Sequence, residues 1–225
     1  MKIKYPLLVI IAFLLLSQQV WAQKPVAILF RVKGKVTVAY SKKNVRKAKR
    51  GLRIYPGTKI ITKRKSFAAI KFIDDGSLVR IRSNSTCRID AKREQNSLAK
   101  NVLLDVGTIF SSIKNLKGKF RVTTPTSVAS VKGTAFWTKQ EFKGATYYFG
   151  EEGIVEIKNK RGFALLYPGQ TGYVSSPNSK PVVRKTEKGE KPKWESNESS
   201  IDELEFEFQN QNGQIKTLKF KVKKK

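Results

Sequence analysis

The chain has 225 residues, 46 of them Lys or Arg against 17 Asp or Glu, for a formal charge of +29. It holds no histidine and one cysteine, Cys87. That composition excludes Ser-His and Cys-His nucleophilic catalysis, histidine acid–base work, His and thiolate metal sites and any intramolecular disulfide, and no cofactor is expected. With 40% apolar residues, a core can form without covalent staples.

Residues 1–22 read as a signal peptide: Lys2 and Lys4 precede the apolar run Leu7–Leu16, and Val20-Trp21-Ala22 supplies a small-residue cleavage site. The run is far shorter than the ~20 residues that cross a bilayer, so export and cleavage after Ala22 are expected, with no membrane span afterwards. The destination is periplasmic or secreted.

From Val26 to Tyr173 short apolar–polar alternations follow one another, separated by Gly, Pro, Asp and Ser. The expected inward sets are Val26/Ile28/Phe30/Val32, Val36/Val38/Tyr40, Ile70/Phe72, Val79/Ile81, Val102/Leu104/Val106, Phe120/Val122, Tyr148, Val155/Ile157 and Leu165. Period-two patterning with turns at short intervals predicts an all-β domain over residues 23–176, an antiparallel sandwich or β-roll. Only residues 90–99 leave room for a helical turn or two. Cys87 is expected half-buried in the strand after Gly76, and Gly133 at a bulge or close backbone approach.

Residues 42–53, KKNVRKAKRGLR, carry seven basic side chains and no acid. In an exported protein such a run faces cell-wall glycan, lipid head groups or acidic proteins rather than nucleic acid. Lys42, Lys43, Arg46, Lys47, Lys49 and Arg50 are therefore the candidate polyanion-binding residues, with a plain solvated loop as the alternative. The paired acids Asp74-Asp75 and Glu151-Glu152 would point to opposite faces if on strands, and Asp-Asp-Gly-Ser is ordinary turn chemistry.

Residues 177–200 are rich in Ser, Pro, Lys, Glu and Asn and are expected to form a polar linker, with the isolated Trp194 docked on the domain or anchoring a partner. Residues 201–225 predict a β-hairpin around Asn212-Gly213, with a bulge at Ile215. Leu204, Phe206, Phe208, Leu218, Phe220 and Val222 would share one face, which must either fold back on the domain or meet a partner.

Several motifs, taken in order, resemble the FecR-domain family of bacterial periplasmic proteins. They are Thr124-Pro125 with Val131 and Gly133-Thr134, then Glu151, Gly153 and Val155, then Pro168-Gly169-Gln170. Earlier stretches continue the likeness: Gly34–Val38, Gly51-Leu52, Pro56–Thr62, Ala68–Leu78 and Val102–Gly107, so that it spans about residues 26 to 175. The resemblance implies a non-catalytic binding or scaffold module outside the inner membrane, engaging an envelope protein or an anionic glycan or lipid head group. The family's regulators relay a signal through a cytoplasmic anti-sigma segment and a spanning helix, and neither is expected here, because the leader opens the chain. A carboxylate-only glycan hydrolase is the alternative, and it requires two carboxylates facing one cleft, about 5–10 Å apart. Oligomeric state and ligand identity are not legible.

Overall fold

The computed structural model describes residues 23–193 and, as backbone, 203–209 and 215–221. The chain first lays down β1 (Ala27–Lys33), β2 (Val36–Ala39), β3 (Val45–Lys47), β4 (Arg53–Ile54) and β5 (Thr58–Thr62). Next come β6 (Phe67–Phe72), β7 (Leu78–Ile81), β8 (Ser85–Glu94), β9 (Ser97–Ile113) and β10 (Gly118–Thr123). The domain continues with β11 (Val128–Val131), β12 (Thr134–Gln140), β13 (Thr146–Glu152), β14 (Val155–Asn159), β15 (Gly162–Leu166), β16 (Gln170–Val174) and β17 (Val182–Lys185). Two further strands, β18 (Glu203–Gln209) and β19 (Ile215–Lys221), pair only with each other in a separate sheet. No helix occurs among the described residues, so the expected all-β class is what forms.

The strands make two stacked layers. One sheet, here sheet A, runs β4-β1-β6-β7-β9-β12-β13-β16-β17. The other, sheet B, runs β3-β2-β5-β8-β9-β10-β11-β14-β15. Strand β9 belongs to both: residues up to Val106 pair with β8 in sheet B, and residues from Gly107 pair with β12 in sheet A. The chain turns that corner at Gly107, whose φ is +104°. A β-carbon there would lie within 2.5 Å of the Ser85 backbone, so the crossing needs glycine on both counts. All pairings are antiparallel except β9 with β10, where the chain wraps once round the sandwich and returns alongside itself.

Inward side chains of both sheets fill one core. Leu29, Ile70, Phe72, Val79, Ile81 and Ile109 of sheet A meet Val36, Val38, Ile60, Ile89, Val102 and Leu104 of sheet B. Phe120, Phe136, Tyr148, Val155 and Ile157 continue that core toward the C-terminal half. Alternation therefore located the buried face along most strands. It failed on two. In β1 the inward residues are Ala27 and Leu29, while Ile28 is 42% exposed; a register shift follows between Leu29 and Arg31, and Val32 beyond it packs against the core as expected. In β15 Leu166 is inside and Leu165 is 41% exposed, because Glu156, its cross-strand partner, faces solvent.

Other expectations need correction. Residues 90–99 hold no helical turn; they are the tip of the β8–β9 hairpin, with Glu94 opposite Ser97. Cys87 is fully buried rather than half-buried. The polar stretch from 177 is not linker throughout: β17 pairs with β16 from Gln170↔Lys185 to Tyr173↔Val182, and Pro181 is buried. The hairpin strands pair as expected, with Leu204 opposite Phe220 and Phe206 opposite Leu218. Its ladder reaches Gln209↔Ile215 with no register shift, so there is no bulge at Ile215. The signal peptide, Trp194 and the side chains of the hairpin face lie outside the described residues.

Candidate functional site: a basic sheet edge beside an aromatic cleft

The basic segment forms the outermost edge of sheet B. Lys42 and Lys43 lie in the turn after β2, Arg46 and Lys47 on β3, and Lys49 and Arg50 in the turn that leads to β4. All six are exposed. The buried Ala48 and the bond from its N–H to Val36 O (2.9 Å) pin the segment to the domain, so the charges sit on a held edge. No acidic residue occurs between Gln23 and Asp74, so this stretch of chain contributes only positive charge to the edge.

Beside that edge is a cleft of about 560 Å³ lined by Tyr40, Asn44, Arg46, Leu52, Arg53, Tyr55 and Pro56, among others. The Tyr40 and Tyr55 rings meet edge-on with centroids 5.9 Å apart, and the Arg46 guanidinium lies 5.9 Å from the Tyr40 centroid. Tyr40 donates its hydroxyl to Arg53 O at 2.8 Å, and burial pushes its pKa up despite the nearby Arg46 charge. The cleft thus offers a neutral phenol, two aromatic faces and two guanidinium groups. A larger cleft of about 710 Å³ lies on sheet B among β10, β11, β14 and β15, where Lys119, Arg121 and Lys132 flank Leu116, Ile154 and Leu165.

Asp105 and Glu151 lie on different sheets, each paired with its own lysine. Asp105 pairs with Lys59 at 3.3 Å on sheet B. Glu151, on sheet A, pairs with Lys191 at 2.9 Å and accepts the Trp137 indole N–H at 3.0 Å. Asp74 and Asp75 do converge, contrary to the reading of them as plain turn residues. Both bind the ammonium of Lys100, at 2.7 and 2.6 Å, and the Lys100 and Asp75 side chains are fully buried. Asp75 also accepts the N–H groups of Ser77 (2.8 Å) and Lys117 (3.1 Å), and Lys100 donates to Lys117 O at 2.9 Å. Burial alone would raise the Asp75 pKa, but these bonds outweigh it and hold the carboxyl below its usual range. The one ammonium offsets one of the two negative charges, and the depressed Asp75 carboxyl is held as an acceptor rather than poised as a general acid.

Lys100 escaped the sequence reading, yet a signal existed. It occupies the inward phase of β9 between Leu98 and Val102, where alternation demands an apolar residue. A buried lysine needs a paired charge, and two adjacent aspartates were available. The Thr-Pro motif also resolves into structure. Thr124, Thr126 and Ser127 form a buried hydroxyl cluster, with Thr124 Oγ1 3.0 Å from Thr146 Oγ1 and Ser127 Oγ 3.0 Å from the Tyr148 hydroxyl. Tyr148 is buried and its pKa pushed up to about 12, so it acts as a neutral packing group. The Cys87 thiol is likewise raised to about 12 by burial, which keeps it an unreactive core residue.

Residues 58–156 match the model of the family described as FecR protein, and the likeness read from the motifs is shown over that stretch. No curated protein matches the chain. Two crystal structures of a candidate anti-sigma factor from Parabacteroides distasonis ATCC 8503 superpose with TM-scores of 0.49 and 0.48, at 17% and 19% identity. Each alignment covers 56% of this chain and 59% of that protein's length.

Proposed function

From the FecR match over residues 58–156, we propose that the protein is a non-catalytic binding or scaffold module of the cell envelope. It works in the periplasm or outside the cell, engaging an anionic glycan, a lipid head group or an acidic envelope protein. The leader pattern of residues 1–22 supports export. The observation that carries the reading is the exposed basic edge of β3 and its flanking turns, anchored by Ala48 next to the Tyr40–Tyr55 cleft. A polyanion is attracted there by the summed charge, and the aromatic faces add contact area for a flat ligand group. The hydrolase alternative draws no support from Asp105, Glu151 and Asp74, which each bind a different lysine.

The test replaces Lys42, Lys43, Arg46, Lys47, Lys49 and Arg50 with Gln in the mature protein. Retention on lipopolysaccharide or a heparin-like surface falls, the wild-type retention weakens with salt, and the circular dichroism spectrum is unchanged. Equal retention of variant and parent at equal salt would falsify the basic-edge reading and return the segment to a solvated loop.

A further inference from the structure

On the outward side of sheet A, one cross-strand row reads Arg80, Phe110, Trp137, Phe149, Thr171 and Arg184, each opposite the next on the neighbouring strand. The Phe110 and Trp137 rings lie 4.9 Å apart, the Arg80 guanidinium 5.8 Å from the Phe110 ring, and that of Arg82 5.8 Å from Trp137. None of Arg80, Arg82, Phe110 and Trp137 is without a partner. The row turns away from the core, to which Ile109, Phe136 and Tyr148 point instead. Even so, Trp137 and Phe149 are each only 1% exposed. An outward aromatic as dry as these must be covered.

The chain supplies the first part of that cover itself. After β17, residues 186–193 cross back over the row. Glu190 accepts from Arg184 (3.0 Å) and Thr171 (3.1 Å), and Lys191 reaches Glu151, which holds the Trp137 indole. The strap therefore runs from the Arg184 end toward Trp137. Lys193 is its last described residue, and Trp194 follows.

We propose that the Arg80–Phe110–Trp137 face is the dock of the chain's own C-terminal segment, residues 194–225. Three features fit this occupant. Residues 194–202 can span up to ~30 Å, whereas Arg80 lies two strand steps, or about 10 Å, from Trp137. The β18–β19 register places Leu204, Phe206, Leu218 and Phe220 together on one face of a hairpin that cannot bury that face alone. Finally, Glu195, Glu198, Asp202 and Glu203 lead into the hairpin, complementary to Arg80 and Arg82. The docking is independent of the basic edge, which lies on the other sheet.

In the mature chain Trp194→Phe leaves Trp137 as the one tryptophan. That variant is compared with the same chain carrying Phe206→Glu and Phe220→Glu, and with a chain ending at Lys193. Docking in cis predicts blue, poorly quenched Trp137 emission in the first protein at every concentration. It predicts a red shift, stronger acrylamide quenching and a lower melting temperature in the other two. Unchanged Trp137 emission in the Phe206→Glu/Phe220→Glu chain overturns the proposal, whether or not the truncated chain folds. Blue emission that appears only as the protein dimerises also overturns it, since the occupant is then a second copy.

Discussion

At the scale of single residues, the tightest constraint is the Lys100–Asp74–Asp75 cluster. It ties β9 to the turn after β6 and to the loop before β10, three places distant in sequence. Removing the cation strands two carboxylates in the interior, so Lys100→Met is expected to lower stability by about 3–5 kcal/mol, measured by denaturant unfolding. The pH dependence follows from Asp75. Its folded pKa is depressed, so its contribution is fully present above the ordinary aspartate value of ~4 and is lost as pH falls through the lowered folded value. Stability measured from pH 5 downward should therefore drop more steeply in the parent than in Asp75→Asn. Parallel curves would show that Asp75 does not titrate with folding. The sequence showed the two aspartates and the lysine but not their meeting, because nothing local brings residue 100 to residue 75.

At the scale of elements, turns decide what strands can do. Between β11 and β12 the chain passes through Gly133, whose φ is +141°, and the carbonyl of Gly133 closes against Gly153 in the turn between β13 and β14. The sequence pattern assigned Gly133 a structural role, through close backbone approach or a bulge. A β-carbon at 133 would meet nothing within 4 Å, so the constraint is its backbone angle instead. Gly133→Val is expected to cost more than ~1 kcal/mol, read as a lower denaturation midpoint. A midpoint equal to the parent's would show that the turn relaxes freely. The same logic acts within β1: a bulge adds one residue to one strand only and exchanges inward with outward positions beyond it, so Ile28 before it faces out and Val32 after it packs against the core.

At the scale of the whole molecule, the sandwich separates two surfaces of different character. Sheet B carries the basic edge and, further along, Lys119, Arg121 and Lys132 around a second cleft. Sheet A carries the aromatic row and the strap that begins to cover it. Because β9 passes from one sheet into the other, the two faces share a single core and are held in fixed relation. A polyanion on one face and the chain's own tail on the other would not compete for space.

The sequence by itself determined the class of fold, most of the inward positions, the presence of the hairpin and the family likeness, since each depends on period-two alternation, turn residues or motif order within short windows. It also showed where positive charge accumulates. Only the tertiary structure decided that Lys100 is buried between Asp74 and Asp75, that Tyr40 and Tyr55 form a cleft beside Arg46, and that residues 182–193 belong to the domain. It also decided that Phe110, Trp137 and Phe149 line up on an outward face. The physical reason is common to all four. Alternation tells which side of a strand a residue takes, but neighbours across a sheet are set by strand order, and strand order here arises from a chain that changes sheets.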